Sequence, residues 1–400
     1  MAKLYCPYCY DEFAEKAIEF RCAGRVSPTG KPACKRTVDR IARDVLGDAE
    51  LKFPAFAADG RKLKATHKDA CEVETFIRLC PKCHSQLPNH FGKVESRMIA
   101  LIGAKESGKT VFVTVLLHEM MNRVSRRFGV SVLGADDETR SHYRRDYEDS
   151  LYHQGQLPDI TRSATAGRRR RPLVFSFAIN QKRFGRSRVD RSVLSFFDTA
   201  GEDLTSADSV ELNTRYLNSA DGIILLLDPL QMLGARPLIN DDAELPAVAE
   251  VSDLPEHVLG RVINLLERDL RPSGRGKIKK PIAVAFSKMD ALTSALPEDT
   301  PLLAEPAEVP QFDEADSLTV HRHIEQLLHK WQGGNLNETL NLHFEQYRLF
   351  GLSALGNSPV TADGAGGGRR VSHHGIQPIR VADPFLWLMS EFGAIPKKRG

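Results

Sequence analysis

One stretch of the chain decides its fold: Gly103-Ala104-Lys105-Glu106-Ser107-Gly108-Lys109-Thr110. It fits the phosphate-binding pattern of a glycine, four residues and then Gly-Lys-Thr. In that pattern the backbone N–H groups of the loop surround a phosphate chain, Lys109 reaches the β- and γ-phosphates, and the Thr110 hydroxyl is a ligand of Mg²⁺. The apolar run Met98–Ile102 predicts a buried strand before the loop, and apolar residues at helical spacing from Val113 to Val124 predict a helix after it. This order of elements is the context that the motif requires.

A second motif follows about ninety residues later. The run Ser192–Phe197 predicts a strand, and it ends in Asp198-Thr199-Ala200-Gly201-Glu202. An acidic residue at the tip of a strand beside the phosphate loop can hold Mg²⁺ through a water, and a glycine just after it lets a backbone N–H approach the γ-phosphate. We therefore predict that Asp198 holds Mg²⁺ through a water and that the backbone N–H of Gly201 contacts the γ-phosphate.

Two further motifs concern the base. A predicted strand, Pro281–Phe286, ends in Ser287-Lys288-Met289-Asp290, where the carboxylate can accept N1–H and N2–H₂ of guanine, which adenine does not offer. The aliphatic stem of Lys288 can cover the base. Another predicted strand, Tyr347–Leu352, leads to Ser353-Ala354-Leu355, which would touch the base from the other side. Ligands gather at the carboxyl edge of a parallel sheet, so four motifs that each follow a strand predict one nucleotide site.

With these motifs the chain resembles the P-loop GTPases of the translation-factor-related (TRAFAC) class, in its Ras-like branch, over roughly residues 96–395. The resemblance implies an α/β fold, a three-layer sandwich around a mostly parallel sheet with one antiparallel strand. It also implies a GTP-hydrolysing molecular switch that uses GTP, GDP and Mg²⁺. A cysteine module ahead of such a domain further resembles the bacterial double-GTPase group, whose members are thought to work beside partner GTPases in conflict systems. A protein partner and a role in bacterial defence or signalling follow from that resemblance.

The sequence departs from the family pattern at two motifs. Ser287 stands where Asn is usual, so the contact that ties the base strand to the phosphate loop is weakened or replaced. Glu202 stands where Ras-like enzymes carry the Gln that orients the attacking water. A carboxylate there would lie near phosphate charge, so we expect Glu202 to position water and hydrolysis to be slow without a partner.

The first switch segment is less defined. Thr161 and Thr165 are both candidates for the Mg²⁺ ligand of the GTP state, and Thr161 is preferred because a strand from Pro172 to Ile179 follows after a suitable loop. Four arginines, Arg168–Arg171, lie in the same loop. They would supply an arginine to the γ-phosphate, dock an acidic partner or contact nucleic acid, or they are simply solvated, which is the commoner case for a charge run.

Two Cys-x-x-Cys turns, Cys6-Pro7-Tyr8-Cys9 and Cys80-Pro81-Lys82-Cys83, precede the nucleotide motifs. Together they supply four thiolates for a tetrahedral structural Zn²⁺ site. The 70 residues between Cys9 and Cys80 exceed the about 15–20 of a compact zinc ribbon, so we predict a ribbon with an insertion.

Three more cysteines lie within that insertion. One hypothesis joins Cys22, Cys34, His67 and Cys71 in a second metal site. In another, Cys22 and Cys34 complete the site of the first turn, and in a third all three are buried free thiols. The residue pattern leaves these alternatives open.

The predicted organisation is a zinc-ribbon-like module over residues 1–95 and a nucleotide domain over residues 96–400. All seven cysteines lie before residue 84, which suits a metal module better than a disulfide framework. With no secretory signal and no apolar run of about 18 residues, a cytoplasmic protein is expected. A net charge of +3 does not by itself indicate nucleic acid. Two rival functions remain: a nucleotide-binding scaffold with little hydrolysis, and a nucleic-acid-binding protein that nucleotide regulates.

Overall fold

The computed structural model describes residues 3–104, 106–157, 172–183, 186–196, 214–241, 243, 245–248, 254–270, 276–361 and 368–398. None of the helices in these ranges has the length and apolar composition that crossing a bilayer requires.

Short strands and one helix form the N-terminal part of the chain. These elements are β1 Lys3–Tyr5, β2 Glu12–Ala14, a 3₁₀ turn Glu15–Ala17, β3 Glu19–Arg21, β4 Thr37–Val38, α1 Arg40–Leu46, β5 Leu51–Lys52, β6 Ala55–Ala57, β7 Ala65–Thr66, β8 Glu74–Thr75 and β9 Arg78–Leu79. β3 lies between β6 and β9 in an antiparallel sheet, and β1–β2, β4–β5 and β7–β8 are two-stranded pairs. Asp39 begins α1 by accepting a hydrogen bond from the backbone N–H of Ala42.

Longer elements form the rest of the described chain. The strands are β10 Glu95–Ser96, β11 Ile99–Gly103, β12 Val130–Gly134, β13 Leu173–Arg183, β14 Arg186–Phe196, β15 Gly222–Leu227, β16 Ile282–Phe286, β17 Phe312–Asp313, β18 Tyr347–Gly351, β19 Val360–Thr361, β20 Arg369–Arg370 and β21 Lys397–Lys398. The helices are α2 Lys109–Glu119, α3 Ser125–Phe128, α4 Asp137–Tyr143, α5 214–219, α6 Pro255–Leu270, α7 Glu314–Lys330, α8 Gly334–His343 and α9 Asp383–Glu391. Two π-helical segments, Met120–Val124 and Arg144–His153, continue α2 and α4, and 3₁₀ turns cover Pro229–Gln231, Arg236–Leu238 and Met289–Ala295.

The central strands form a parallel sheet in the order β11-β15-β16-β18. Every residue of β11, β15 and β16 is buried, which is why these strands read as continuous apolar runs rather than alternating ones. A second group of strands has the order β10-β14-β13-β12, in which β13 runs antiparallel to both of its neighbours. The backbone N–H of Arg97 donates to the carbonyl of Val193 at 3.0 Å, so β14 lies beside the chain where β10 passes into β11.

Apolar cores cover both faces of the parallel sheet. On β11, Ala100 and Ile102 belong to the core that includes α6, α7 and α8, whereas Ile99 and Leu101 belong to the core that includes α2 and α9. The alternation follows from the two-residue period of a strand. A mixed α/β fold with a parallel sheet is thereby confirmed.

Two features of the β13–β14 hairpin differ from the prediction. The strands predicted over Pro172–Ile179 and Ser192–Phe197 are longer in the structure, because β13 continues to Arg183 and β14 begins at Arg186. Backbone hydrogen bonds between strands do not depend on side-chain polarity once the hairpin extends beyond the core. The polar composition of this part of the chain therefore did not indicate where the strands end. β12 was not predicted at all. It pairs with β13, and its Val130 and Val132 are buried on one side.

Candidate functional site

The phosphate-loop segment turns between the end of β11 and the start of α2. Gly108 has φ of 81°, in the left-handed region that favours glycine, and Glu106 has φ of 62°. A Cβ on Gly103 would lie 2.5 Å from the carbonyl oxygen of Leu226 and 2.6 Å from Ser107 Oγ, so the close approach of β15 requires a glycine there. α2 therefore begins directly at this loop, an arrangement in which a helix N-terminus can face an anion.

Lys109 and Ser107 are held by the loop itself. The Lys109 ammonium donates to the carbonyls of Gly103 at 2.8 Å and Ala104 at 2.7 Å, and its side chain is buried. The Ser107 hydroxyl donates to the Ala104 carbonyl at 2.8 Å. Thr110 is half-buried in the first turn of α2. The geometry therefore fixes one cation at the centre of the loop that the sequence identified as phosphate-binding.

Ser287 connects the base-reading segment to this loop. Its hydroxyl lies 2.9 Å from the carbonyl oxygen of Ser107 and 3.1 Å from that of Leu227, and the residue is 4% exposed. The backbone N–H of Ser287 also donates to the Leu227 carbonyl. With serine in place of asparagine, the contact between the base strand and the phosphate loop was expected to be weakened or replaced. It is replaced, because the shorter serine side chain reaches the backbone carbonyl of Ser107 in the loop.

Asp290 and Ser353 meet at the same edge of the sheet. The Ser353 hydroxyl donates to the Asp290 carboxylate, and Ser353 Oγ accepts the backbone N–H of Gly356 at 2.7 Å. Burial raises the pKa of Asp290 above its ordinary 3.8, and the hydrogen bond from Ser353 opposes this rise. Ala354 and Leu355 continue the turn, with the Leu355 side chain in the core beside α9. A buried carboxylate has lost the water that stabilised its charge, so its ionised form is stabilised by N–H donors that take the place of that water.

Two residues of this region were missed by the sequence analysis. Asp228 follows β15, is 3% exposed, and holds the ammonium of Lys288 at 2.6 Å. Its signal was an acidic residue directly after a buried strand. Asn240 donates to the Asp290 carbonyl at 2.7 Å and to Thr293 Oγ1 at 3.0 Å, so it fixes the turn Met289–Ala295. Nothing local in the sequence marks an asparagine 50 residues away from its partner.

Several predicted residues lie outside the described part of the chain. These are Lys105, Thr161, Thr165, Arg168 to Arg171, Asp198, Gly201 and Glu202.

The cysteines of the two Cys-x-x-Cys turns come together. Cys6, Cys9, Cys80 and Cys83 are all buried, and their sulfur atoms lie within 4.8 Å of one another. The Cys6–Cys83 sulfur distance is 3.7 Å and the Cys9–Cys80 distance is 3.9 Å. A tetrahedral zinc ion with Zn–S bonds of about 2.3 Å needs sulfur–sulfur edges of about 3.8 Å. We call this group the first cluster, and its donor set fits Zn²⁺.

The two turns of the first cluster have the same backbone. The N–H groups of Tyr8 and Lys82 point at the sulfurs of Cys6 and Cys80, at 3.4 and 3.3 Å. Each turn is closed by a residue with positive φ, Tyr10 at 64° and His84 at 54°. Such N–H···S contacts stabilise the thiolate form of a cysteine.

The turns of the first cluster contact residues of the larger, C-terminal part of the chain. Tyr8 Oη donates to Asp136 at 2.6 Å, and Ser195 Oγ donates to the carbonyl of Pro7 at 2.7 Å. The ring of Tyr10 lies 4.9 Å from that of Tyr216 in α5. Val174 of β13 and Val193 of β14 share the core of the cluster. β13, β14 and α5, which adjoin residues 171, 197 and 213, thus contact the cysteine module.

Comparisons with known proteins agree with this geometry. Residues 97–338, more than half of the chain, match the model of the Double-GTPase 2 family. The chain is also 29% identical over 340 residues to the putative ESX-1 scaffolding and assembly protein SaeC of Mycolicibacterium smegmatis. That alignment covers 80% of this chain and 81% of the relative.

Among solved structures, the chain is similar to the Saccharomyces cerevisiae Ski7 GTPase-like domain bound to GTP, with 13% identity and a TM-score of 0.28. It is also similar to Sup35 complexed with GDP, with 12% identity and a TM-score of 0.23. These matches cover 66% and 65% of this chain but 43% and 38% of the solved chains, so the chain spans less than half of their length. Scores this low describe a partial superposition, and the family assignment rests on the family match.

Proposed function

The chain belongs to the Double-GTPase 2 family, and we propose that it is a Mg²⁺-dependent switch that binds and hydrolyses GTP and contacts a protein partner through its N-terminal zinc module. Guanine-nucleotide binding is supported by the family. The observation that carries the proposal is the pair of contacts at the sheet edge, Ser287 to Ser107 and Ser353 to Asp290. They hold a phosphate-binding loop and a guanine-reading carboxylate in one fixed arrangement.

The described residues have separate tasks in this proposal. The backbone N–H groups of residues 103–110 would bind the phosphates, and Lys109 would exchange its two carbonyl contacts for phosphate oxygens. Thr110 would be a ligand of Mg²⁺, together with Asp198 through a water; the ion, when bound, neutralises charge that develops on the phosphates. Asp290 would accept the N1–H and N2–H₂ groups of guanine, while Asp228 keeps Lys288 over the base.

Hydrolysis and switching are assigned to residues outside the described part. Glu202 would position the attacking water, Gly201 would donate its N–H to the γ-phosphate, and Thr161 would close on the metal in the GTP state. Ordering of these segments by the γ-phosphate, and their release after hydrolysis, would be the output of the switch. Their neighbours Val174, Val193 and Tyr216 pack on the first cluster, which supports the idea that the zinc module transmits this change to a partner.

A second candidate is a nucleotide-binding scaffold that barely hydrolyses GTP. The relative named a putative scaffolding and assembly protein supports it, as does a glutamate at the water-positioning place. Both candidates share the nucleotide site and differ in the fate of bound GTP.

The deciding experiment has two stages on the purified full chain with Mg²⁺. First, fluorescent GTP, GDP and ATP analogues are titrated against the wild type and Asp290→Ala. Guanine selectivity that disappears in the variant is expected, because two hydrogen bonds to a carboxylate contribute about 3–6 kcal/mol together. ATP binding as tight as GTP binding, or an unaffected variant, would refute the guanine assignment.

Second, a single turnover of γ-labelled GTP is followed in the wild type and in Glu202→Ala and Thr161→Ala. Measurable release of phosphate that both variants slow supports the switch. Tight binding with no release over hours favours the scaffold, and an unchanged rate in Thr161→Ala removes that threonine from the mechanism. Zinc analysis of the same preparation tests whether the first cluster binds zinc. Less than one zinc per chain would contradict that assignment.

A further inference from the structure

The insertion between the two Cys-x-x-Cys turns contains a second convergent set of metal-binding atoms. Cys22, Cys34, His67 and Cys71 each offer one ligand atom, and these atoms all lie within 4.8 Å of one another. The Cys22–Cys71 sulfur distance is 3.4 Å, and His67 Nδ1 lies 3.6 Å from the sulfur of Cys34 and 3.7 Å from that of Cys71. With Zn–S of about 2.3 Å and Zn–N of about 2.0 Å, tetrahedral edges are about 3.8 Å between sulfurs and about 3.5 Å between sulfur and nitrogen. These three distances lie within about 0.4 Å of the edges that zinc requires, and the other three are at most 4.8 Å.

Local structure prepares these side chains for a metal. The N–H of Gly24 points at the Cys22 sulfur at 3.4 Å, as in the turns of the first cluster, and Gly24 has φ of 67°. The rings of His67 and Phe56 stack with centroids 4.4 Å apart and an angle of 10°, which fixes the plane of the imidazole. The backbone N–H groups of Ala70 and Glu72 both donate to the His67 carbonyl, so a tight turn carries Cys71 back to His67.

The apolar core of the insertion is too small to hold this shape. Between residues 22 and 73, the buried apolar side chains are those of Cys22, Ala42, Cys71 and Val73, and two of these are the proposed ligands. Val26 and Leu51 are 65% and 60% exposed. Segments of this size with so little buried apolar surface need a metal or disulfides to stay folded. The described residues of the insertion include strands of only two or three residues and a single short helix, α1.

The two clusters are separate sites. β3 and β9 are antiparallel, with Glu19 opposite Leu79, so Cys80 lies beside the start of β3 while Cys22 follows its end. Four residues of strand correspond to roughly 13 Å, too far for shared ligands. This spacing rules out the alternative in which Cys22 and Cys34 complete the first site. In the sequence the second set is nested inside the first, so each site closes its own loop.

We propose that Cys22, Cys34, His67 and Cys71 form a second, structural zinc site that takes the place of a hydrophobic core in the insertion. Four cysteines in the first cluster and three in the second account for all seven in the chain. A site with four protein ligands is closed, so its role is to hold the fold rather than to activate water. The assignment depends on the geometry of residues 22–73 and is independent of the nucleotide chemistry.

The test counts metal and thiols in the full chain purified without chelators. We expect two zinc ions per chain by elemental mass spectrometry, and protection of all seven cysteines against alkylation before denaturation. His67→Ala is expected to lower the count to one and expose Cys22, Cys34 and Cys71 to the reagent. His67→Cys, which restores a four-ligand set, is expected to keep two ions, and in the cobalt-substituted protein it should strengthen the sulfur-to-metal absorption bands.

Several results would overturn the second site. One zinc per wild-type chain, with Cys22 and Cys71 found as a disulfide two mass units lighter, would show an oxidised pair instead. One zinc with three alkylated thiols would show free cysteines. Two zinc ions retained in His67→Ala would remove His67 from the ligand set. Guanine-nucleotide binding, measured on the same samples, separates these results from a failure of the proposed switch, since the wild type can bind nucleotide with either count.

Discussion

Replacing Ser287 by alanine tests how the base-reading segment is tied to the phosphate loop. The substitution removes a hydroxyl that lies 2.9 Å from the Ser107 carbonyl in a position 4% exposed. A neutral hydrogen bond contributes about 1 kcal/mol, and a buried acceptor left without its donor costs about 1–3 kcal/mol. Some relaxation of the loop is available, so we expect a loss of about 1–2 kcal/mol. At 25 °C this corresponds to a Kd for nucleotide raised about 5- to 30-fold.

The assay is a titration with fluorescent GDP and GTP in Mg²⁺. The affinity for both nucleotides should fall equally, because the contact supports a part of the loop that both would bind. Ser390→Ala is the matched control. Its hydroxyl donates to the Trp387 carbonyl at 2.7 Å in an equally buried place within α9. It should lower stability by a similar amount without changing Kd. A Kd within twofold of wild type in Ser287→Ala, or a loss confined to GTP, would refute the proposed tie.

Three other perturbations have directions that follow from the structure. GDP affinity should fall as the pH is lowered from 7 toward the raised pKa of Asp290, because binding needs the carboxylate; Asp290→Asn should flatten this profile, and a pH-independent wild type would contradict it. Tyr8→Phe should increase hydrogen exchange in α4 about 10- to 150-fold, since about 1.5–3 kcal/mol is typical for a bond to a charged group. Tyr5→Phe, at an exposed site, should not increase it, and equal effects would argue against the contact. Gly103→Ala should weaken nucleotide binding at least tenfold in the same titration, while Gly260→Ala, whose Cβ meets nothing within 4 Å, should leave it unchanged.

The elements of the nucleotide domain that the sequence predicted well are those with strong local signals. β11 and β16 are continuous apolar runs, which is the pattern typical of a parallel strand buried on both faces. β12 escaped prediction because its pattern, Val130 and Val132 inward with Ser131 and Leu133 outward, is short and does not differ from a loop with two valines. β12 forms because it pairs with the edge of β13, a long-range contact that the local sequence of β12 does not reveal.

The same distinction holds at the nucleotide site. Lys109, Ser287, Asp290 and Ser353 were identified because each follows a strand, and topology then brings the carboxyl ends of parallel strands to one edge. The partner of Ser287 was not predictable, since whether a shorter side chain still reaches the loop depends on tenths of an ångström in backbone position. Asn240 was invisible for a related reason: it acts through contacts made by an irregular segment far away in the chain.

The cysteine module is part of the nucleotide domain's packing rather than an appendage to it. Tyr8, within the first Cys-x-x-Cys turn, donates to Asp136, and that same carboxylate accepts the N–H of Thr139 as the N-cap of α4. Tyr216, against which Tyr10 packs, exchanges hydrogen bonds with the backbone of Leu101 and Ile99 in β11, the strand that ends in the phosphate loop. A change in the first cluster therefore has a path of direct contacts to the loop. Because that path has only two side-chain steps, we expect that removing the metal proposed for the first cluster with a chelator weakens nucleotide binding, measured by the same titration.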